Sequence, residues 1–172
     1  MTSLEHLTVR LARRDDLDRL TEFSAAMAQE TEGRVLDRTR LHRGTLAVFE
    51  QPDRGFFMVA EIPHGTSSLV VGQLLITYEW SDWRNAQFWW IQSVYVDPAW
   101  RRKGVYHRMH QAVVEQARQR NDVCGVRLYV ETQNAVAQAV YQRVGLRLAG
   151  YQVFEEDFVL SKPGSGSSDS GQ

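Results

Sequence analysis

The chain has a single cysteine, Cys124, among its 172 residues. No intramolecular disulfide can form, and a reducing compartment fits best. No window approaches eighteen consecutive apolar residues, so no transmembrane helix and no membrane partner are expected. Neither charge sign is in surplus: 20 Lys and Arg against 21 Asp and Glu leave a formal net charge of −1. That balance argues against a general nucleic-acid binder, whose phosphate contacts call for a basic excess. The opening residues, Met1 to His6, hold no basic segment leading into an apolar run, so no secretory signal is expected and the cytoplasm is the expected location. Gly-x4-Gly-Lys-Ser/Thr and Gly-x-Gly-x-x-Gly are both missing, which excludes a P-loop and a dinucleotide fingerprint. His107 and His110 lie three apart on a helical stretch with no acidic or cysteine partner, so no metal site is expected.

What is present suits one soluble globular domain. Hydrophobic residues make up 43% of the chain and charged residues 24%, both ordinary for that class. A domain of this length buries roughly 70% of its unfolded surface, enough for a true core. Residues 1–161 are read as that domain. Lys162 to Gln172 is rich in Gly and Ser and reads as a flexible tail.

Leu7 to Leu11 alternates as a strand. Asp15 or Asp16 can cap a helix to about Ala28, and a second helix is expected from Asp37 to about Phe49. Phe56–Glu61 and Leu69–Tyr78 read as strands joined through Pro63-His-Gly-Thr. Phe88–Val96 is a nearly unbroken apolar and aromatic run, as in a strand covered on both faces, and Trp89 and Trp90 within it read as core. A helix from Gly104 to Gln119, a strand at Val126–Val130, a helix from Asn134 to Val144 and a closing strand or hairpin at Leu148–Leu160 complete the series. This is a mixed α/β order: a sheet flanked by helices.

The most informative stretch is Val94-Tyr-Val-Asp-Pro-Ala-Trp-Arg101-Arg102-Lys103-Gly104-Val105-Tyr106. A strand feeds a basic turn at the start of a helix. The first N–H groups of a helix have no partner within it, and its dipole adds positive charge there, so a pyrophosphate is the natural guest. Farther on stands Asn134-x2-Ala137-x3-Tyr141-x3-Gly145-Leu146. Asn134 and Tyr141 share one helix face, two turns apart.

Arg-x-x-Gly-x-Tyr followed at this distance by Asn-x2-Ala-x3-Tyr-x3-Gly-Leu resembles the two motifs of GNAT-type N-acetyltransferases, strongly over residues 88–147 and weakly before them. The resemblance implies the GNAT fold, a mixed and largely antiparallel sheet with splayed central strands, and acetyl-coenzyme A as cosubstrate. It implies that the backbone of Val94, Tyr95 and Val96 pairs with the pantetheine arm, and that the Val94 N–H stabilises the oxyanion of a tetrahedral intermediate. Arg101, Arg102, Lys103, Gly104, Val105 and Tyr106 would line the pyrophosphate. Asn134 and Ala137 would meet the cofactor arm, and Tyr141 would protonate the leaving thiolate.

Two positions depart from the family. Tyr106 stands where Gly or Ala is usual. Gln92 stands where a glutamate base is often found, and an amide cannot accept the proton, so the base is left open among Glu79, Asp82, Glu131, a water chain and solvent. The segment Tyr78-Glu79-Trp80-Ser81-Asp82-Trp83 is the expected acceptor loop. Acids beside tryptophans suit a cation, and the loop is loosely similar to that of diamine acetyltransferases. Glu79, Trp80, Asp82 and Gln92 are therefore the expected acceptor contacts, and a small cationic amine the expected acceptor. A protein or peptide acceptor, or a non-catalytic acyl-coenzyme A sensor, are the alternatives. Homodimerisation is common in the family and is left open by the sequence.

Overall fold

The computed structural model describes residues 6–160, so the tail expected at residues 162–172 lies outside the described residues. Strand β1 (Thr8–Leu11) leads through a single 3-10 turn into α1 (Leu17–Glu32), which ends at Gly33. Asp37 caps α2 (Arg38–Glu50) by accepting the Arg40 N–H at 2.9 Å. Then come β2 (Phe56–His64), β3 (Ser67–Ser81), β4 (Ala86–Val96), α3 (Val105–Arg118), β5 (Val123–Leu128) and α4 (Ala135–Arg143). No helix among the described residues is long and apolar enough to cross a membrane.

The strands lie in chain order, β1-β2-β3-β4-β5. The first four pair antiparallel, and β5 joins β4 in parallel. A five-stranded, mostly antiparallel sheet with helices on both faces is the mixed α/β arrangement expected. The two faces follow from the period-two alternation of strands. Met58, Ala60, Leu74, Ile76 and Ile91 pack with Val105, Met109 and Val113 of α3. Phe57, Val59, Val70 and Tyr95 pack with Leu20 and Phe23 of α1 on the other side. Gly72 permits the close approach of α3: a Cβ there would lie 3.1 Å from the Met109 sulfur and 3.2 Å from a Val105 methyl.

Two expectations are corrected. The fifth strand lies at Val123–Leu128 instead of Val126–Val130. It starts early because a tight turn after α3, clamped by Arg120 on Asp122 at 2.8 and 2.6 Å, delivers the chain to β4 at once. The segment Leu148–Leu160 forms no strand. The Asp157 carboxylate instead accepts the Val159 and Leu160 N–H groups at 2.8 Å each, a local turn that competes with ladder pairing.

Candidate functional site

The β4–β5 ladder ends at Ile91 opposite Leu128. Strand β4 continues from Gln92 to Val96, so its last residues have no β5 partner and present an open sheet edge. An edge of this kind can accept an extended guest as an added strand.

The chain then enters the basic loop. Arg102 and Gly104 both adopt left-handed backbone, with φ of 60° and 88°. Such residues in a tight turn can aim successive N–H groups into one concavity. Gly104 is the N-cap of α3; no side chain caps that end and no acidic residue occupies the first turn. This contrasts with α2 and α4, which Asp37 and Asn134 cap. The start of α3 thus combines free backbone donors with the positive end of the dipole, as an anion site requires. The side chains play other parts. Val105 is 2% exposed and belongs to the core. Arg101 turns back, donating from Nε to the Val96 carbonyl at 2.8 Å and from Nη2 to Glu30 at 2.7 Å. The Lys103 ammonium lies 4.6 Å from the centre of the Trp100 ring.

Tyr106, in the first turn of α3, meets Tyr141 of α4 edge to face and also contacts His110. Burial pushes the Tyr141 hydroxyl above its ordinary pKa of 10.0. Burial, with Tyr141 adding to it, pushes Tyr106 higher still. Both phenols are therefore neutral at physiological pH. The Tyr106 hydroxyl and the His110 Nε2 are buried without hydrogen-bond partners among the described residues. Burial, assisted by His107, lowers the His110 pKa from 6.5.

Other residues singled out in the sequence are engaged elsewhere. Asn134 accepts the Ala137 N–H at 2.9 Å, so its carbonyl serves as a helix cap. The Gln92 amide donates across to the Thr77 hydroxyl on β3. Glu79 receives Arg127 at 2.8 Å on one oxygen and the Trp90 indole N–H on the other. Trp80 and Asp82 stand at the β3–β4 turn. From Ala86 to Val94 is eight residue steps, about 26 Å at ~3.3 Å per residue, so the structure does not bring that loop to the Val94 end. A cleft of about 660 Å³ lined by Phe56, Tyr78, Trp89 and Arg120 also lies at that far end. It shares no lining residue with the basic loop.

Sequence reasoning missed Glu30. Its carboxylate accepts the Tyr95 hydroxyl at 2.7 Å and Arg101 at 2.7 Å, and these bonds, Tyr95 foremost, hold its pKa below the usual value. It also missed Gln73, fully buried in β3 beneath the end of β4. No local pattern signals either, since their partners are distant in sequence.

The family model described as Acetyltransferase (GNAT) family matches residues 17–146. No curated protein matches the chain. Among solved structures, a possible acetyltransferase from Clostridium difficile 630 is 37% identical, with a TM-score of 0.81, covering 91% of this chain and 100% of that one. A predicted acetyltransferase with acetyl-CoA from Clostridium acetobutylicum is 16% identical, with a TM-score of 0.69 over 87% of this chain and 96% of its own. An aminoglycoside N-acetyltransferase in complex with CoA is 14% identical, with a TM-score of 0.67 over 90% of this chain and 96% of its own. The last two likenesses are of fold alone.

Proposed function

This chain belongs to the GNAT acetyltransferase family, and we propose that it moves an acetyl group from acetyl-coenzyme A to a primary amine. One observation carries the reading: the open edge of β4 from Gln92 to Val96 runs directly into an uncapped, acid-free start of α3. An edge for an amide-bearing arm and a donor-rich end for a pyrophosphate, in that order along the chain, match the two halves of coenzyme A.

Acetyl-coenzyme A supplies the acetyl group as an activated thioester. The backbone of Val94, Tyr95 and Val96 holds the arm, and the loop from Arg101 to Tyr106 holds the pyrophosphate through its N–H groups. The Val94 N–H donates to the carbonyl oxygen as it gains negative charge under attack by the amine. As the C–S bond breaks, Tyr141 gives its phenolic proton to the departing sulfur, and the proton that the attacking nitrogen sheds passes through water to solvent, from which the tyrosinate is reprotonated. A neutral phenol with a raised pKa keeps that proton available across the physiological range. Holding amine and thioester in register supplies much of the acceleration.

The acceptor in this proposal is a small cationic amine. The fold shared with an aminoglycoside N-acetyltransferase supports that class, since aminoglycosides are polycationic amines. The acceptor is not assigned to Glu79, whose carboxylate is already paired. Residues 1–161 act as one catalytic unit in a cytoplasmic setting. The test is free-thiol release from acetyl-coenzyme A with polyamines, amino acids, aminoglycosides and short peptides, with cofactor binding followed by calorimetry. Turnover on a cationic small amine is the expected result. Binding with no turnover on any amine would sink the enzyme reading and leave a sensor of acyl-coenzyme A.

A further inference from the structure

We propose that Gln73 is a positioning residue: its amide clamps a bulge in β4 and so sets where the Val94 N–H points. The proposal rests on the acetyl-transfer reading for its catalytic consequence, and on geometry alone for the clamp.

The register of β3 against β4 shows the bulge. Gln73 lies opposite Tyr95, and Leu75 lies opposite Gln92. One residue of β3, Leu74, therefore spans two residues of β4, Ser93 and Val94, and neither has a partner in the register. The alternation of β4 changes phase there. Trp89 and Ile91 face the α3 side; past the bulge, Val94 and Val96 pack against that side. Tyr95 faces α1 instead and reaches Glu30 with its hydroxyl. A one-residue insertion flips every later side chain to the opposite face. Without it, Val94 would turn toward α1 and Tyr95 toward α3.

Two features need an explanation that packing does not supply. Ser93 has φ of 50°, a left-handed conformation that a side-chain-bearing residue holds only when its surroundings impose it. Gln73 is 0% exposed in a strand whose other buried residues are apolar, and a buried amide is costly unless it is hydrogen-bonded. Each accounts for the other through the amide nitrogen, while the Gln73 Oε1 is buried with no partner among the described residues. Gln73 Nε2 donates to the Ser93 carbonyl at 3.3 Å and to the Ser24 hydroxyl of α1 at 2.9 Å. Its amide orientation is fixed by Ser93, because a carbonyl oxygen must receive a donor. The bulge is thus pinned from below to β3 and through Ser24 to α1, one residue before Val94. Hydrogen-bond donors for developing charge lose their effect when misaimed by a fraction of an ångström.

The experiment replaces Gln73 with Met, which keeps volume and removes the donor. Steady-state rates are read with the best amine, cofactor affinity by calorimetry, and the Ser93 and Val94 amides by two-dimensional NMR. The expected result is a fall in kcat of about tenfold to a hundredfold, with cofactor affinity within about twofold and both amide signals displaced. Adding Ser93→Gly, which adopts the left-handed backbone without strain, should recover much of kcat. A folded Gln73→Met with unchanged kcat and unchanged amide signals overturns the proposal. Should that variant not fold, Gln73→Asn, which keeps the amide one methylene short of Ser93, carries the same comparison. If the wild-type chain turns over no amine, the acetyl-transfer reading fails on its own account. The clamp then stands or falls on whether the Val94 amide moves in the variant.

Discussion

The ring of Tyr106 meets the ring of Tyr141 at 67°, edge to face, with their centroids 5.5 Å apart. The contact joins the first turn of α3, where the basic loop ends, to the last turn of α4. The tyrosine that departs from the family at the loop thus supports the tyrosine that matches it. If Tyr141 is the acid, Tyr141→Phe lowers kcat by about tenfold to a hundredfold, the lower end of general-acid effects because a thiolate leaves readily. Cofactor affinity should hold, since only a hydroxyl is lost. In the wild type, kcat should not decline on the alkaline side before about pH 10, because burial pushes the Tyr141 pKa upward. Steady-state rates with calorimetry check both points; an unchanged kcat in the variant removes the acid role.

Tyr106 offers a stability test. Its hydroxyl is buried without a partner among the described residues, so the folded state bears the cost of desolvating it. Tyr106→Phe should leave the fold as stable or up to about 1 kcal/mol more stable. Tyr106→Ala should cost roughly 3 kcal/mol through the cavity left against Tyr141 and His110. Urea midpoints decide this. A Phe variant weaker by more than about 1 kcal/mol would mean that the hydroxyl has a partner.

His110 should make stability depend on pH. Burial and His107 set its folded pKa below 6.5, so the folded chain holds it neutral more strongly than the unfolded chain does. Its contribution is fully present above about pH 6.5. It is lost as pH falls through the window between the unfolded and folded values, where the unfolded chain binds the extra proton. His110→Leu should flatten the decline as pH falls below 6.5. The comparison of variant with wild type isolates His110 from the four other histidines. Equal slopes in the two proteins would contradict the assignment.

Much of the fold was legible in the sequence because its elements are punctuated locally. Asp37 caps α2, Gly33 ends α1, and the largely apolar run Phe56–Glu61 gives a strand. The basic loop and the Asn134–Tyr141 segment were legible as motifs, since spacing along a turn or helix is fixed by local geometry. What was hidden depends on pairing between distant segments. The bulge at Ser93 has no sequence signal of its own: apart from Gln92 and Ser93 the run Phe88–Val96 is apolar on both faces, so there is no alternation whose change of phase could be read. Glu79 read as a free anion beside tryptophans, yet Arg127, forty-eight residues on, claims it. The loop of Trp80 and Asp82 was placed by its composition near the acceptor, while strand length sets it at the other end of β4. Leu148–Leu160 had the apolar content of a strand, but the turn made by Asp157 is specified by hydrogen bonds that apolar patterning does not encode.

The central claim is that coenzyme A lies along the β4 edge with its pyrophosphate at the start of α3. Amide NMR of the whole chain, with and without coenzyme A, tests it most directly. The account predicts that the largest shifts fall on Val94 to Val96 and on Arg102 to His107, with Gln87, Trp89 and Gln116 at the far end little changed. Shifts gathered around the cleft of Phe56, Tyr78 and Trp89, with the basic loop unmoved, would contradict it.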